Sequence, residues 1–181
     1  MSGLLHESNL VMYDRQTESL WSQSLGKALV GDYVGVELDL VSAQFMTVGE
    51  VREVVPDAII LSEETGYARD YRRNPYAGYE ETERLIAPVT RSDARLPAKT
   101  IMYVFRIPDG PAVAVERDGL PSGVHSTEIE GADVVLEHDG VRTSVMVDGA
   151  EKPVYLEMWF SFVTQHGENG ELWELGVEPR E

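Results

Sequence analysis

A chain of 181 residues is long enough for one domain with a real core, and its lack of cysteine excludes disulfides, thiolate catalysis and zinc–thiolate sites. Its 32 acidic residues against 15 basic ones give a formal net charge of −17, and such a field repels phosphate backbones and argues against nucleic acid as a partner. No apolar run reaches the roughly 18 residues that a membrane span needs.

The basic residues are unevenly chosen, because three are lysines and twelve are arginines. A folded chain this acidic and this poor in lysine suits concentrated salt, where screening removes the repulsion between carboxylates. An ordinary acidic protein of a mesophile is the alternative interpretation. Stability that collapses at low ionic strength would favour the salt-adapted interpretation.

Most of the sequence pattern indicates short strands separated by turns. Apolar runs at 10–15 and 19–23 predict a first hairpin, and the apolar–polar alternation at 36–41 predicts a half-buried strand. Runs at 134–138 and 141–147 flank an Asp-Gly turn and form the strongest hairpin prediction. Four such Asp-Gly pairs, each of which supplies a positive φ, begin at Asp109, Asp118, Asp139 and Asp148.

Two segments have the apolar spacing of a helix, at 45–55 and at 155–166, and the second is expected to stop at Gly167. Each is followed by a short apolar stretch, at 58–61 and at 171–175. Two helix-then-strand units in one chain suggest a weak internal duplication.

Together these elements predict a β-rich α+β fold, with antiparallel sheets and two short helices packed against them. We expect a single domain over residues 1–181, in which residues 176–181 form a flexible tail. The first residues have no basic or apolar region typical of a secretion signal, so none is expected, and the compartment stays open.

Residues 66–79 are the one compositional oddity, because they hold four of the eight tyrosines and three arginines against one aspartate. Long loops are usually functional or disordered, and so many rings argue against disorder. Arginine forks pair with carboxylate or phosphate oxygens and tyrosine rings offer flat apolar faces, so a sugar acid or another small anion would suit both. The alternative is that the arginines pair with nearby acids while the tyrosines pack the loop onto the sheet. The candidate binding residues are Tyr67, Arg69, Asp70, Tyr71, Arg72, Arg73, Asn74, Tyr76 and Tyr79.

A second candidate is a small polar cluster across the first hairpin, formed by Asp14, Arg15, Ser22 and Gln23. Asp14 could act as a general base, but no partner at a fixed spacing accompanies it, so a turn-ordering role is favoured. The imidazoles form no close ligand pair, and they are His6, His125, His138 and His166. The sequence therefore predicts no cofactor and no metal site.

Specific motifs run through the first hundred residues: Asn9–Arg15 and Ser19–Gln23 in the first hairpin, Asn74–Tyr76 in the loop, and Arg95–Lys99 after it. In these motifs the chain resembles the bacterial and archaeal domain-of-unknown-function family 3179, and the resemblance returns around 159–173. It implies a fold neighbourhood and no mechanism, because the family has no settled activity.

The resemblance also shows departures. Family members are generally longer, carry an upstream Cys-Pro-Leu-Cys segment, and are often exported or membrane-anchored. Their helix usually has two tryptophans where Val48 and Val51 stand here. We therefore expect a truncated domain that has lost any metal held by the paired cysteines. Loss of upstream strands leaves a sheet edge, so Leu4–Asp14 is expected at an edge, open to self-association or covered by a partner chain.

Three classes of function follow from these residues. The first is a non-enzymatic domain that binds a small anion, a saccharide or a protein at the Tyr/Arg loop 66–79. The second is a hydrolase or metal-dependent enzyme that uses Asp14, Arg69 or Asp70 with a convergent histidine, and a cleft with two buried ionisable groups beneath the loop would favour it. The third is an inactive remnant that needs its missing half from elsewhere.

Overall fold

The structure is a computed structural model that describes residues 3–79 and 81–175. The chain divides into a larger unit, Met1–Gln44 with Leu85–Glu181, and a smaller unit, Phe45–Arg84. The single domain stays a prediction, and the tail predicted at 176–181 lies outside the described residues. The β-rich α+β class is confirmed, since the described residues contain twelve strands in three sheets, two short α-helices and one 3₁₀-turn.

The first sheet is an antiparallel meander whose strands follow chain order. The strands are β1 (Leu5–His6), β2 (Asn9–Tyr13), β3 (Leu20–Ser22) and β4 (Lys27–Val30). Pairing of β2 with β3 confirms the first hairpin. β1 occupies the outer edge and β2 is paired on both sides, so only the first residues of Leu4–Asp14 lie at an edge. Cover of that edge by another chain stays a prediction.

The second and third sheets pack face to face and form the main core. One sheet has the order β11-β5-β6-β12 and the other the order β10-β9-β8-β7. The strands of the first are β5 (Ile101–Arg106), β6 (Ala112–Glu116), β11 (Tyr155–Met158) and β12 (Gly170–Leu172). Those of the second are β7 (Gly123–Ile129), β8 (Ala132–His138), β9 (Thr143–Val147) and β10 (Ala150–Lys152). Their pairing confirms the hairpin predicted around Asp139-Gly140, which joins β8 to β9.

Alternation along the strands divides the apolar residues between two layers. Phe105 and Val113 point into the core between the sheets, where they join Val134, Leu136 and Val145. The opposite face of β5 and β6 belongs to a second apolar layer beneath α2 (Trp159–His166), made of Met102, Val104, Ala112, Ala114, Trp159 and Phe162. Because β5 and β6 are covered on both faces, their burial is nearly continuous.

The four Asp-Gly pairs form the predicted turns. Three of them place one residue at positive φ, namely Asp109 (φ 55°), Gly119 (φ 88°) and Gly140 (φ 96°), and the fourth places both, Asp148 (φ 49°) and Gly149 (φ 75°). These pairs lie in the connections that join β5 to β6, β6 to β7, β8 to β9 and β9 to β10. Local turn chemistry therefore fixes the order of most of the two-sheet core.

Three elements differ from the sequence prediction. Residues 36–41 form no strand and contribute one isolated bridge, between Lys27 and Glu37, because their backbone hydrogen bonds to β4 and the turn before it end at Leu38. Residues 155–158 are a strand, not the first turn of a helix, because they pair with β5, and only Trp159–His166 is helical before it ends at Gly167 as predicted. Residues 58–61 form no strand, so the suggested internal duplication has no structural counterpart.

The smaller unit contains one regular element, α1 (Val48–Val54), among its described residues. This helix begins with a capping box, in which Thr47 Oγ1 accepts the Glu50 backbone N–H and the Glu50 carboxylate accepts the Thr47 N–H. None of the described residues of this unit is buried. Over both units, no helix of the described residues has the length and apolar character needed to cross a membrane.

Two valines on neighbouring strands test the core. Val134 on β8 is fully buried and Val124 on β7 is 67% exposed. We expect Val134→Ala to lower the free energy of unfolding by about 2 kcal/mol or more, since it removes buried apolar surface and leaves a cavity. The matched Val124→Ala carries the same loss of strand propensity and should cost far less. Urea unfolding measures both, and equal losses would contradict the assigned core.

Candidate functional site

The loop at 66–79 lies in the smaller unit and contains neither helix nor strand. Two of its predicted site residues hold its turns: Asp70 Oδ1 accepts the Arg72 N–H at 3.1 Å, and Asn74 Oδ1 accepts the Tyr76 N–H at 2.9 Å. The Tyr71 hydroxyl lies 2.6 Å from Thr65 Oγ1. The path of the loop is therefore set by hydrogen bonds between its own side chains and its own backbone.

Aromatic rings and guanidinium groups of this loop face solvent. Tyr67, Tyr71 and Tyr76 are 75%, 47% and 61% exposed, and Tyr79 is half-buried. Among the described residues, no carboxylate lies within 4.0 Å of the guanidinium nitrogens of Arg69, Arg72 or Arg73. The loop therefore presents its rings and cations together, although the hollows described for this structure are lined by residues of the larger unit.

Asp14 organises the turn between β2 and β3. Its carboxylate accepts the backbone N–H groups of Gln16 and Thr17, at 3.0 and 2.7 Å, and the Trp21 indole N–H at 3.1 Å. These hydrogen bonds, from the Thr17 backbone first and Trp21 next, lower the pKa of Asp14 from 3.8 to about 2. A carboxylate with so many donors and so low a pKa is a poor general base.

The other members of the predicted polar cluster lie elsewhere. Ser22 Oγ accepts the Leu25 N–H at 3.3 Å in the next turn. Arg15 and Gln23 are exposed, and among the described residues no hydrogen bond joins Asp14 to Arg15, Ser22 or Gln23. The hairpin therefore supplies two independent turns and no assembled cluster.

The histidines of the described residues do not converge. His125 Nε2 lies 2.9 Å from the Pro121 carbonyl oxygen, and His138 Nδ1 lies 3.1 Å from the Arg142 carbonyl oxygen. Within residues 3–79 and 81–175, no three carboxylate or imidazole side chains are arranged to hold a metal ion.

A polar layer between β11 and α2 was missed by the sequence analysis. Glu157 is only 8% exposed; its Oε1 accepts the Ser161 hydroxyl at 2.6 Å, and its Oε2 lies 3.5 Å from His166 Nε2. Ser161 Oγ also lies 2.9 Å from the side-chain oxygen of Asn9 on β2. We use the name polar layer for Arg106, Tyr155, Glu157, Ser161, Gln165 and His166.

Several atoms of this polar layer are buried without a hydrogen-bond partner among the described residues. They are Arg106 Nε, the Tyr155 hydroxyl, Glu157 Oε2, Gln165 Nε2 and His166 Nε2. Burial, reinforced by the negative charge of Glu157, raises the pKa of the Tyr155 hydroxyl to about 12, while the neighbouring Arg106 opposes the rise through its charge and through the interaction of its side chain with the hydroxyl. Polar groups without partners concentrate here although buried polar groups are normally paired.

This polar layer lacks the geometry of a nucleophilic site. The Ser161 hydroxyl is directed to a carboxylate instead of an imidazole, and Ser161 is 2% exposed. A serine nucleophile needs a base within hydrogen-bond reach and an open approach for the substrate. The polar layer therefore contains structural hydrogen bonds and unsatisfied donors, and its described residues do not form the serine–base pair that acyl transfer needs.

Comparison with known proteins gives one match. A family model described as "Protein of unknown function (DUF3179)" matches residues 1–175, so the chain belongs to this family. Comparisons with curated proteins and with solved structures returned no match. The family confirms the resemblance found in the motifs, and its description names no activity.

Titration of Asp14 gives a direct test of the turn. Because its folded pKa is lowered to about 2, the stabilisation from this carboxylate is complete above about pH 4 and is lost as the pH falls toward 2. Asp14→Asn should remove this part of the pH dependence of unfolding, whereas Asp32→Asn, at an exposed position, should not. Carboxyl ¹³C NMR measures the pKa, and a value near 3.8 for Asp14 would refute the turn's role.

Ser161→Ala tests the buried hydrogen bonds of the polar layer. Removing the hydroxyl leaves the buried Glu157 oxygen without its donor, so we expect the free energy of unfolding to fall by about 1–3 kcal/mol. Ser126→Ala, at an exposed position on β7, is the control. Chemical denaturation of both variants near neutral pH is the measurement, and unchanged stability of Ser161→Ala would show that the hydroxyl is dispensable.

Proposed function

We propose that the chain is a non-enzymatic binding domain whose Tyr/Arg loop 66–79 recognises a small anion or an acidic saccharide, with an acidic protein segment as the alternative ligand. The observation that supports it is the grouping of three guanidinium groups, none with a carboxylate partner among the described residues, beside exposed tyrosine rings. The whole chain carries a net charge of −17.

Electrostatics explain why such a loop would select its ligand. The Debye length is about 8–10 Å at moderate salt, so an incoming anion senses the nearby arginines more strongly than distant acids. Arg69, Arg72 and Arg73 outnumber Asp70, and the carboxylate of Asp70 already accepts a backbone N–H of the loop. A guanidinium binds a carboxylate or phosphate through two parallel hydrogen bonds.

The tyrosines add a contact that a simple cation patch lacks. Exposed rings at Tyr67, Tyr71 and Tyr76 offer apolar faces with a polar tip, which suits the C–H face and the hydroxyls of a sugar. An acidic saccharide would use both kinds of group at once. Free phosphate would use the arginines alone.

No contact among the described residues favours the hydrolase or metal-dependent alternative. Asp14 is committed to a turn, and Asp70 accepts the N–H of Arg72. All four histidines belong to the larger unit, whereas the loop belongs to the smaller one. The binding function is therefore the better supported proposal.

A thermal-shift screen with phosphate, glucuronate, glucose and divalent metal ions, in low and high salt, tests the loop. We expect glucuronate to raise the melting temperature more than glucose, because a ligand that binds only the folded state stabilises it. Arg72→Ala with Arg73→Ala should remove most of the glucuronate effect. The control is Arg15→Ala with Arg52→Ala, which removes the same charge at two exposed positions.

Equal glucuronate shifts in the two double variants would place the binding elsewhere and refute the loop. Absence of any shift in the wild type would refute the binding function. A shift produced by a metal ion alone would favour the enzymatic alternative. The low-salt series also tests the salt-adapted interpretation, because repulsion between carboxylates grows as screening is removed.

A further inference from the structure

The larger unit contains an open hollow of about 350 Å³ beside the polar layer. It is bounded by β4, by the turn between β5 and β6, and by the end of α2. The polar side chains that line it are Lys27, Glu37, Arg106, Gln165, His166 and Asn169. This volume suits a small molecule and not a polymer.

Unsatisfied donors concentrate at this hollow. Of the five buried side-chain atoms without partners, Arg106 Nε, Gln165 Nε2 and His166 Nε2 belong to residues that line it. An arginine Nε–H and a glutamine NH₂ can only donate, and a neutral imidazole donates from Nε2 in one tautomer. His166 Nε2 faces Glu157 Oε2 at 3.5 Å, which leaves Arg106 Nε and the Gln165 NH₂ as the donors that a ligand with acceptor oxygens would satisfy.

Arg106 differs from the paired arginines of the same unit. Arg95 and Arg117 lie 2.7 Å from Asp93 and Asp118. Arg106 is half-buried, and no carboxylate of the described residues lies within 4.0 Å of its guanidinium. Exposed arginines are hydrated, but the buried Nε–H of Arg106 has no access to solvent.

The two acidic residues near Arg106, Glu37 and Glu157, do not form an ion pair with it. Glu37 accepts Lys27 Nζ at 2.9 Å, and the pKa of Glu37 is lowered first by this hydrogen bond and the charge of Lys27, with a smaller contribution from Arg106. Glu157 lies behind His166 and accepts Ser161. Lys27 and Glu37 neutralise each other on the wall of the hollow, so its remaining positive charge is that of Arg106.

We propose that this hollow binds a small oxyanion, a carboxylate or phosphate group, that accepts hydrogen bonds from Arg106 and Gln165. Both residues line the hollow, and Arg106 supplies the positive charge. The site lies in the larger unit and uses no residue of loop 66–79, so its test is independent of the test of the proposed function.

The test is an NMR titration of the ¹⁵N-labelled protein with phosphate, with acetate and, as the uncharged control, with glucose. We expect saturable shifts of the Gly110 and Asn169 amides and of the Gln165 side-chain NH₂. Response to phosphate alone would assign the site to free phosphate, and response to acetate would extend it to organic acids. Glucose should leave these signals unchanged.

Two arginine variants separate the site from general charge effects. Arg106→Gln should weaken binding by about tenfold or more, because it removes a charge-assisted hydrogen bond. Arg117→Gln removes the same charge at an ion-paired position that lines none of the described hollows and should bind like the wild type. Arg72→Ala with Arg73→Ala should also leave this binding unchanged.

Equal affinities of Arg106→Gln and Arg117→Gln would overturn the proposal. If Arg106→Gln does not fold, the wild-type titration decides, because shifts absent from Gly110, Gln165 and Asn169 at saturating anion also overturn it. Arg106→Lys keeps the charge and loses the fork, so it should recover part of the affinity lost in Arg106→Gln.

Discussion

The packing of α2 in the larger unit depends on the hydrogen bond between Ser161 and the buried carboxylate of Glu157. A carboxylate held between a sheet and a helix is costly unless other groups hydrogen-bond to it. Ser161 on α2, four residues after Glu157, supplies the donor at 2.6 Å and also contacts Asn9 on β2. The same interaction therefore ties α2 both to β11 and to the first sheet.

The hydrogen bond from Ser161 satisfies one oxygen of Glu157, while its other oxygen and further groups of the polar layer stay without a hydrogen-bond partner among the described residues. Arg106 continues the face of β5 that carries Met102 and Val104, so alternation along the strand directs it toward the α2 side of the sheet. There it finds no carboxylate partner among the described residues. An all-apolar layer at this position would be simpler to stabilise, and the retained donors are the observation on which the proposed anion site depends.

Local chemistry explains which parts of the fold could be predicted. The Asp-Gly turns specify their φ values within two residues, so the hairpin of β8 and β9 is readable from the sequence. The capped end of α2 at Gly167 is equally local. The start of α2 is not, because Tyr155–Met158 becomes a strand only through pairing with β5, some fifty residues earlier.

The candidate sites show the same division. The Tyr/Arg loop stands out by composition alone, whereas the polar layer joins Arg106 to residues of β11 and α2 through pairing that no local pattern reveals. The sequence contains one signal of this polar layer: Tyr155 and Glu157 stand two residues apart, which is the spacing of one face of a strand. A helical interpretation of 155–166 concealed it.

Both candidate sites rest on arginines that have no carboxylate partner within residues 3–79 and 81–175, and Arg106 is the more informative because water does not reach its Nε. A ¹H–¹⁵N spectrum of the arginine Nε groups observes that atom directly. We expect the Arg106 Nε–H to exchange slowly with solvent and its signal to shift when phosphate is added, while the signal of Arg95, which is paired with Asp93, stays in place. An Arg106 Nε–H that exchanges as fast as that of exposed Arg15 and ignores phosphate would contradict it.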